Sequence, residues 1–302
     1  MLHRRCHIAS EVCAMDETAE RLLGSASRLS RDPETEIDWD APVGDGYGMS
    51  PEWSTLYGTP YWDELTEAQQ RELTRHESAS VASTGIWFEL ILQQMILRDV
   101  YDKPPRSAEF QWALTEIADE CRHSIMFAKA SGRLVEPAYR PRLLARELGR
   151  MFKTVATGET AYAAILVAEE VLDVMQRDWM RDRRVEPLVR TVNHIHVVEE
   201  SRHMVFAREE TRERLAGAGR GRRWVSALVI AIAADMIVSS MVSREVYANV
   251  GLDAERAVRE AQRNEHHRSL LRTSCANLMD FLGSVGLLTP AAARVYRRTG
   301  LL

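Results

Sequence analysis

From residue 64 to residue 299 the chain carries one apolar stripe after another at helical spacing, and the turn-forming residues between them gather at a few short junctions. These junctions read DKPPRS (102–107), EPAYRP (136–141), AGAGRGRR (216–223) and VGLD (250–253). With 10 prolines and 16 glycines in 302 residues, long stretches are left without a breaker. The recurrence predicts helices over 64–100, 107–132, 141–182 with a break near Thr157-Gly158, 188–216, 223–249, 253–283 and 290–299. No strand alternation survives between them. Short junctions place successive helices antiparallel, so the expectation is an all-α bundle with one core, to which a 45% hydrophobic content is adequate. Residues 31–62 have turn chemistry, exposed aromatics and little period. The division expected is therefore an N-terminal leader and extended arm over 1–62 and a single helical-bundle domain over 63–302.

Several function classes drop out on charge and composition. A net charge of −5 does not supply the clustered basic face that nucleic acid needs, and the arginines at 181–184 and 220–223 read as helix ends. Cys6, Cys13, Cys121 and Cys275 form no CxxC pair, and the N-terminus has no apolar signal core, which points to the cytoplasm. His3, Cys6, His7 and Cys13 match no common zinc-finger spacing. The run WVSALVIAIAADMIVSSMV (224–242) is long enough to raise the question of a membrane span. Asp235 in its middle favours a buried central helix and no stable span, and a homodimer interface could bury it equally well.

The chemistry lies in an internal echo. ADECRHSIMFA (118–128) holds Glu120 and His123, and VEESRHMVFA (198–207) holds Glu200 and His203, each pair separated by two residues. A carboxylate and an imidazole one turn apart can both reach a metal beside the helix, and each pair is preceded by an arginine and followed by an apolar patch. Two further glutamates stand in apolar surroundings: Glu89 among Gly85, Ile86 and Leu92, and Glu169 among Ile165, Leu166 and Leu172. Buried alone, each would cost several kcal/mol unless protonated, paired or bound to a metal. Helix by helix, the order Glu89, Glu120-x-x-His123, Glu169, Glu200-x-x-His203 is that of a ferritin-like di-metal centre. Glu170 adjoins Glu169 and is its rival, with Glu169 preferred for its larger apolar neighbours.

Within HIHVVEESRH (194–203), His196 stands one turn before Glu200, so it could add a third imidazole to a site that ordinarily has two. His194 falls off that stripe. Glu199 rivals Glu200 on angle alone, and the echo selects Glu200. Asp119, Asp173, Glu116 and Asp235 are candidates for the outer partners that orient metal-bound imidazoles.

The arrangement Glu89, Glu120-x-x-His123, Glu169, His196-x-x-x-Glu200-x-x-His203 resembles that of bacterial para-aminobenzoate N-oxygenases, di-iron enzymes that oxidise an arylamine through the hydroxylamine towards the nitro compound. By motif the resemblance runs from about Glu77 to Ala207. It implies Glu89 and Glu169 as carboxylate ligands, Glu120 and Glu200 as bridging or chelating ones, and His123, His196 and His203 as imidazole ligands. It implies two iron ions, or a manganese–iron pair, together with O2, a small-molecule substrate and an external electron donor, since the chain has no flavin or iron–sulfur motif. The side chains around Glu89 are Thr84, Trp87 and Phe88, with no basic clamp for a substrate carboxylate. Three other readings share parts of the pattern. A ferritin-like iron oxidase would need no His196, with a di-metal oxidase or hydroxylase of an apolar substrate beside it; a radical-generating subunit would use Tyr162 near Glu169; a metal-free interaction protein would use the same residues as a polar network.

Overall fold

A computed structural model describes residues 2–302, with side chains from Met15 onward, so the side chains of His3, Cys6, His7 and Cys13 lie outside the described residues. Helix α1 (Leu2–Leu29) is followed by an arm containing α2 (Pro33–Glu36), a 3-10 turn (Pro51–Trp53) and α3 (Pro60–Asp63). Then come α4 (Glu67–Val100), α5 (Ala108–Leu134), α6 (Leu143–Val155), α7 (Gly158–Arg181) and α8 (Pro187–Ala216). The chain closes with α9 (Arg220–Met241), α10 (Arg244–Asn249), α11 (Ala254–Arg263), α12 (Glu265–Ser274), α13 (Ala276–Ser284) and α14 (Pro290–Thr299).

Local chemistry sets the boundaries of the long helices. Thr66 and Gln69 form a reciprocal capping box that starts α4, and Ser107 caps α5 through the Phe110 N–H at 3.3 Å. Gly158, at φ +58°, makes the turn into α7 that a side-chain-bearing residue would resist, and Pro187 opens α8. Helices α4, α5, α7 and α8 form a four-helix bundle in which α7 lies along α8 and α4 along α5. Helix α9 packs on α7 and α4 through Ala227, Ile230, Ala231, Ala234 and Ile237, and α14 covers it from outside. By length and composition α9, continued into α10, could cross a membrane; in this fold Asp235 receives hydrogen bonds from Arg298 and Thr299, each at 2.9 Å.

Three expectations are corrected, one of them the single helix expected over 223–249, which breaks at Val242-Ser243 into α9 and α10. The segment before residue 30 is not a leader but helix α1, whose Met15, Ala19, Leu22 and Ala26 recur every three or four residues and bury themselves against α5 and α8. The single helix expected over 253–283 is three, because the Asn264 side chain caps α12 and its amide donates to the Thr55 and Tyr57 carbonyls at 2.8 and 2.9 Å. The arm, residues 31–62, alternates short helical turns with irregular stretches. It is pinned by the pairing of Tyr47 with Val185 and by Gly48, where a Cβ would lie 2.3 Å from the Arg75 Cα.

Candidate metal centre

The four bundle helices bring all seven residues singled out by spacing to one buried place. Helix α4 contributes Glu89, α5 Glu120 and His123, α7 Glu169, and α8 His196, Glu200 and His203; none is more than 6% exposed. His123 Nδ1 lies 3.1 Å from Glu200 Oε1 and 3.5 Å from Glu120 Oε2. His203 Nδ1 lies 3.0 Å from Glu120 Oε1 and 3.1 Å from Glu200 Oε2. On the other side His196 Nε2 is 3.5 Å from Glu200 Oε1 and 3.9 Å from Glu89 Oε1. Donor atoms of Glu89, His123 and His196, of Glu120, His123 and Glu200, and of Glu169, His196 and Glu200 fall within 4.8 Å of one another. Glu120 and Glu200 therefore sit between the two helix pairs, where a carboxylate can serve two cations.

The far nitrogen of each imidazole is held by a different partner. Glu199 Oε2 is 2.8 Å from His123 Nε2, Asp119 Oδ2 is 3.3 Å from His203 Nε2, and Gln176 Oε1 is 2.9 Å from His196 Nδ1. Such contacts leave Nδ1 of His123 and His203, and Nε2 of His196, turned toward the carboxylates. Glu199 is in turn held by the Arg31 N–H at 2.8 Å and the Ser30 hydroxyl at 3.2 Å, which ties the start of the arm to the centre. Of the four outer candidates Asp119 takes that position. Asp173 pairs instead with Arg177 at 2.7 Å, and Asp235 faces α14, so neither orients an imidazole. Glu116 comes closer than an outer partner, its carboxylate grouping with Glu120 and His203 within ligand reach. Sequence reading missed Gln176, whose signal is its place two turns after Glu169 on the same face of α7, and Glu199 entered it only as a rival to Glu200. Glu170 pairs with Arg208, turned away from the cluster, whereas Glu169 faces His196 and Glu200. His194 is exposed, and the Tyr162 hydroxyl donates to Asp99 at 3.0 Å and to none of the seven.

The electrostatics mark a place built for added positive charge. Burial holds the carboxyls of Glu89 and Glu169 well above their usual range, reinforced by the nearby Glu120 and Glu200. Burial would also raise Glu200, but the charge of His203 and the hydrogen bonds from His123 and His203 outweigh it and hold that carboxyl well below its usual range. It would lower His123 and His203, yet the surrounding carboxylates hold both well above the ordinary imidazole value. His196, with fewer such neighbours, is pulled down by burial to about 4 and stays neutral. Glu89 Oε1, both oxygens of Glu120, His123 Nδ1 and Glu200 Oε1 are buried without a well-formed hydrogen bond, their contacts being imidazole–carboxylate approaches of 3.0 to 3.9 Å. So many carboxylate and imidazole atoms converging on one buried spot without regular hydrogen bonds is a state that buried polar groups otherwise avoid, and the donor set fits a pair of divalent cations. Beside Glu89, Glu169 and His196 lies a pocket of about 40 Å³, lined on its apolar side by Phe88, Phe127 and Leu172 among others.

Residues 13–286 match the family model described as P-aminobenzoate N-oxygenase AurF. Among individual proteins, an uncharacterized protein of Mycobacterium bovis and one of Mycobacterium tuberculosis are each 29% identical to this chain over 233 residues, 74% of this chain and 68% of their own length.

Proposed function

The chain belongs to the P-aminobenzoate N-oxygenase AurF family, and from that premise we propose that it is a di-iron, O2-dependent oxygenase that places oxygen on the nitrogen of an arylamine. The observation that carries this reading is the third imidazole: His196, held at Nδ1 by Gln176, directs Nε2 into the same cluster as Glu89, Glu169 and Glu200. A ferritin-like iron oxidase has no need of it.

Glu89, Glu120, His123, Glu169, His196, Glu200 and His203 would hold the two ions. When bound, the metal pair supplies the site for O2 and the electrons of its activation. The residues do the rest. Four carboxylates offset most of the charge of two divalent ions, and three imidazoles add no charge of their own. Glu199, Asp119 and Gln176 fix the ring orientations, so the donor set is preorganised rather than assembled at each turnover. Phe88, Phe127 and Leu172 exclude water from the pocket where the reacting nitrogen would lie. Electrons come from an external donor, the enzyme works in the cytoplasm without spanning a membrane, and the partly exposed α9 face is where a homodimer would form.

The test is direct. Anaerobic Fe(II) loading should give two iron ions per chain, and admission of O2 with a reductant should convert a primary arylamine to its hydroxylamine or nitro product. X-ray fluorescence at the iron and manganese edges on protein purified from its native host distinguishes a di-iron from a manganese–iron pair. A chain that retains no metal after loading would refute the reading.

A further inference from the structure

We propose that a second, larger cavity walled by α4, α6, α7 and α9 receives the body of the substrate, and that this body is an uncharged hydrocarbon or aryl group bigger than a single benzene ring. The proposal rests on the oxygenase reading and narrows its substrate. The cavity has a volume of about 290 Å³ and is walled by Trp87, Leu92, Phe152, Ile165 and Met236 among others. Phe88 and Ala168 line both this cavity and the small pocket beside Glu89, Glu169 and His196, so the two spaces are neighbours across those two side chains. Ala168 immediately precedes Glu169, which places the cavity one residue from the candidate centre.

Size separates the roles of the two spaces. A dry apolar cavity of about 150 Å³ accommodates benzene. The pocket of about 40 Å³ therefore has room for a reacting group but not for a ring, and the larger cavity has room for more than one ring. Its opening is marked by Met151 on α6 and Ile232 on α9, which line it and are 56% and 45% exposed. Apolar side chains thus continue from the interior to the surface. Helix α6 forms the outer wall and approaches α4 closely at Gly149, where a Cβ would lie 2.9 Å from Ile91 Cδ1.

Charge decides the chemical class. Among the described residues no Asp, Glu, Lys, Arg or His lines the larger cavity, and the hydroxyl of Ser240 and the indole N–H of Trp87 are its only polar side-chain groups. A carboxylate-bearing ligand would lose its water in the cavity without gaining a counter-charge there. An apolar body loses nothing of the kind and gains by leaving water. In this chain the family's named substrate, an aminobenzoate, is therefore the wrong class, and an arylamine carrying an alkyl or second aryl group is the right one.

Calorimetric titration of the full chain, loaded anaerobically with Fe(II), with 4-hexylaniline and with 4-aminobenzoate tests this, with the iron content of each sample measured alongside. The alkylated amine should bind at least tenfold more tightly. Ala233→Phe, which narrows the cavity from α9, should weaken it at least tenfold while the iron content stays at two per chain; Ala145→Phe does the same from α6 if the first variant does not fold. Equal or tighter binding of 4-aminobenzoate, or 4-hexylaniline binding unaffected by the filling substitution, overturns the proposal while leaving the metal reading intact. Cavity-dependent binding of 4-hexylaniline by protein that takes up no iron would support the cavity assignment and sink the oxygenase instead.

Discussion

A buried imidazole is useful to a cation only if its other nitrogen is already satisfied, and His123, His196 and His203 each meet that condition through a different side chain: Glu199, Gln176 and Asp119. Removing one such partner should loosen the centre without deleting a ligand. Glu199→Gln is expected to lower iron affinity about 10- to 100-fold in a chelator competition, with the helical content unchanged. His196→Ala makes the sharper cut. Six donors remain, so two-metal binding should persist, while O2-dependent oxidation of an arylamine falls by at least tenfold; retention of full product yield would reduce His196 to a filler of the helix face. The same scale explains Glu169 and Glu170. One residue of rotation on α7, about 100°, sends the first into the cluster and the second to Arg208.

Helix α8 supplies three of the seven donors because one face of a helix repeats at three and four residues, so His196, Glu200 and His203 need only one element to align them. The arginines before the histidines take part in the same scaffold, with Arg122 paired to Asp119 and Arg202 lying 3.6 Å from it. Helix α1 is the element whose role only packing reveals. Its Leu22 is 3% exposed and sits in the main core, so Leu22→Ala should cost about 2–5 kcal/mol in a urea denaturation, a loss a dispensable leader would not register. At the α11–α12 junction, Asn264→Ala removes a cap and frees two loop carbonyls, with an expected cost of about 1–2 kcal/mol in the same assay.

Across the whole molecule, the arm, α4 and α10 meet at Glu77. Its carboxylate accepts from the Thr55 N–H at 2.9 Å, and the Thr55 hydroxyl also lies 2.7 Å from that of Tyr247. Burial pushes Glu77 up to about 7 against the lowering effect of the Thr55 and Ser54 hydrogen bonds. A carboxyl raised in the folded chain keeps its proton where the unfolded chain has released it. Its contribution to stability is thus present below the ordinary carboxylate value and is lost as pH rises through about 7. Metal-free protein should therefore melt at a lower temperature at pH 8 than at pH 5.5, and Glu77→Gln should flatten that part of the profile; an unchanged slope would place the titration elsewhere.

By itself the amino-acid order determined an all-helical bundle and which residues on each helix could act together. Both follow from the 3.6-residue period, a local property that needs no knowledge of the partner helix: Glu120 with His123, and His196 with Glu200 and His203, are neighbours in any helix that contains them. The tertiary structure alone decided what depends on a second element. It made Glu199 and Gln176 partners of imidazoles, brought Glu116 beside Glu120 and His203, split 253–283 at Asn264, and opened an apolar cavity beside Glu169. Periodicity reports which way a side chain leaves its own helix, and only packing reports what stands opposite.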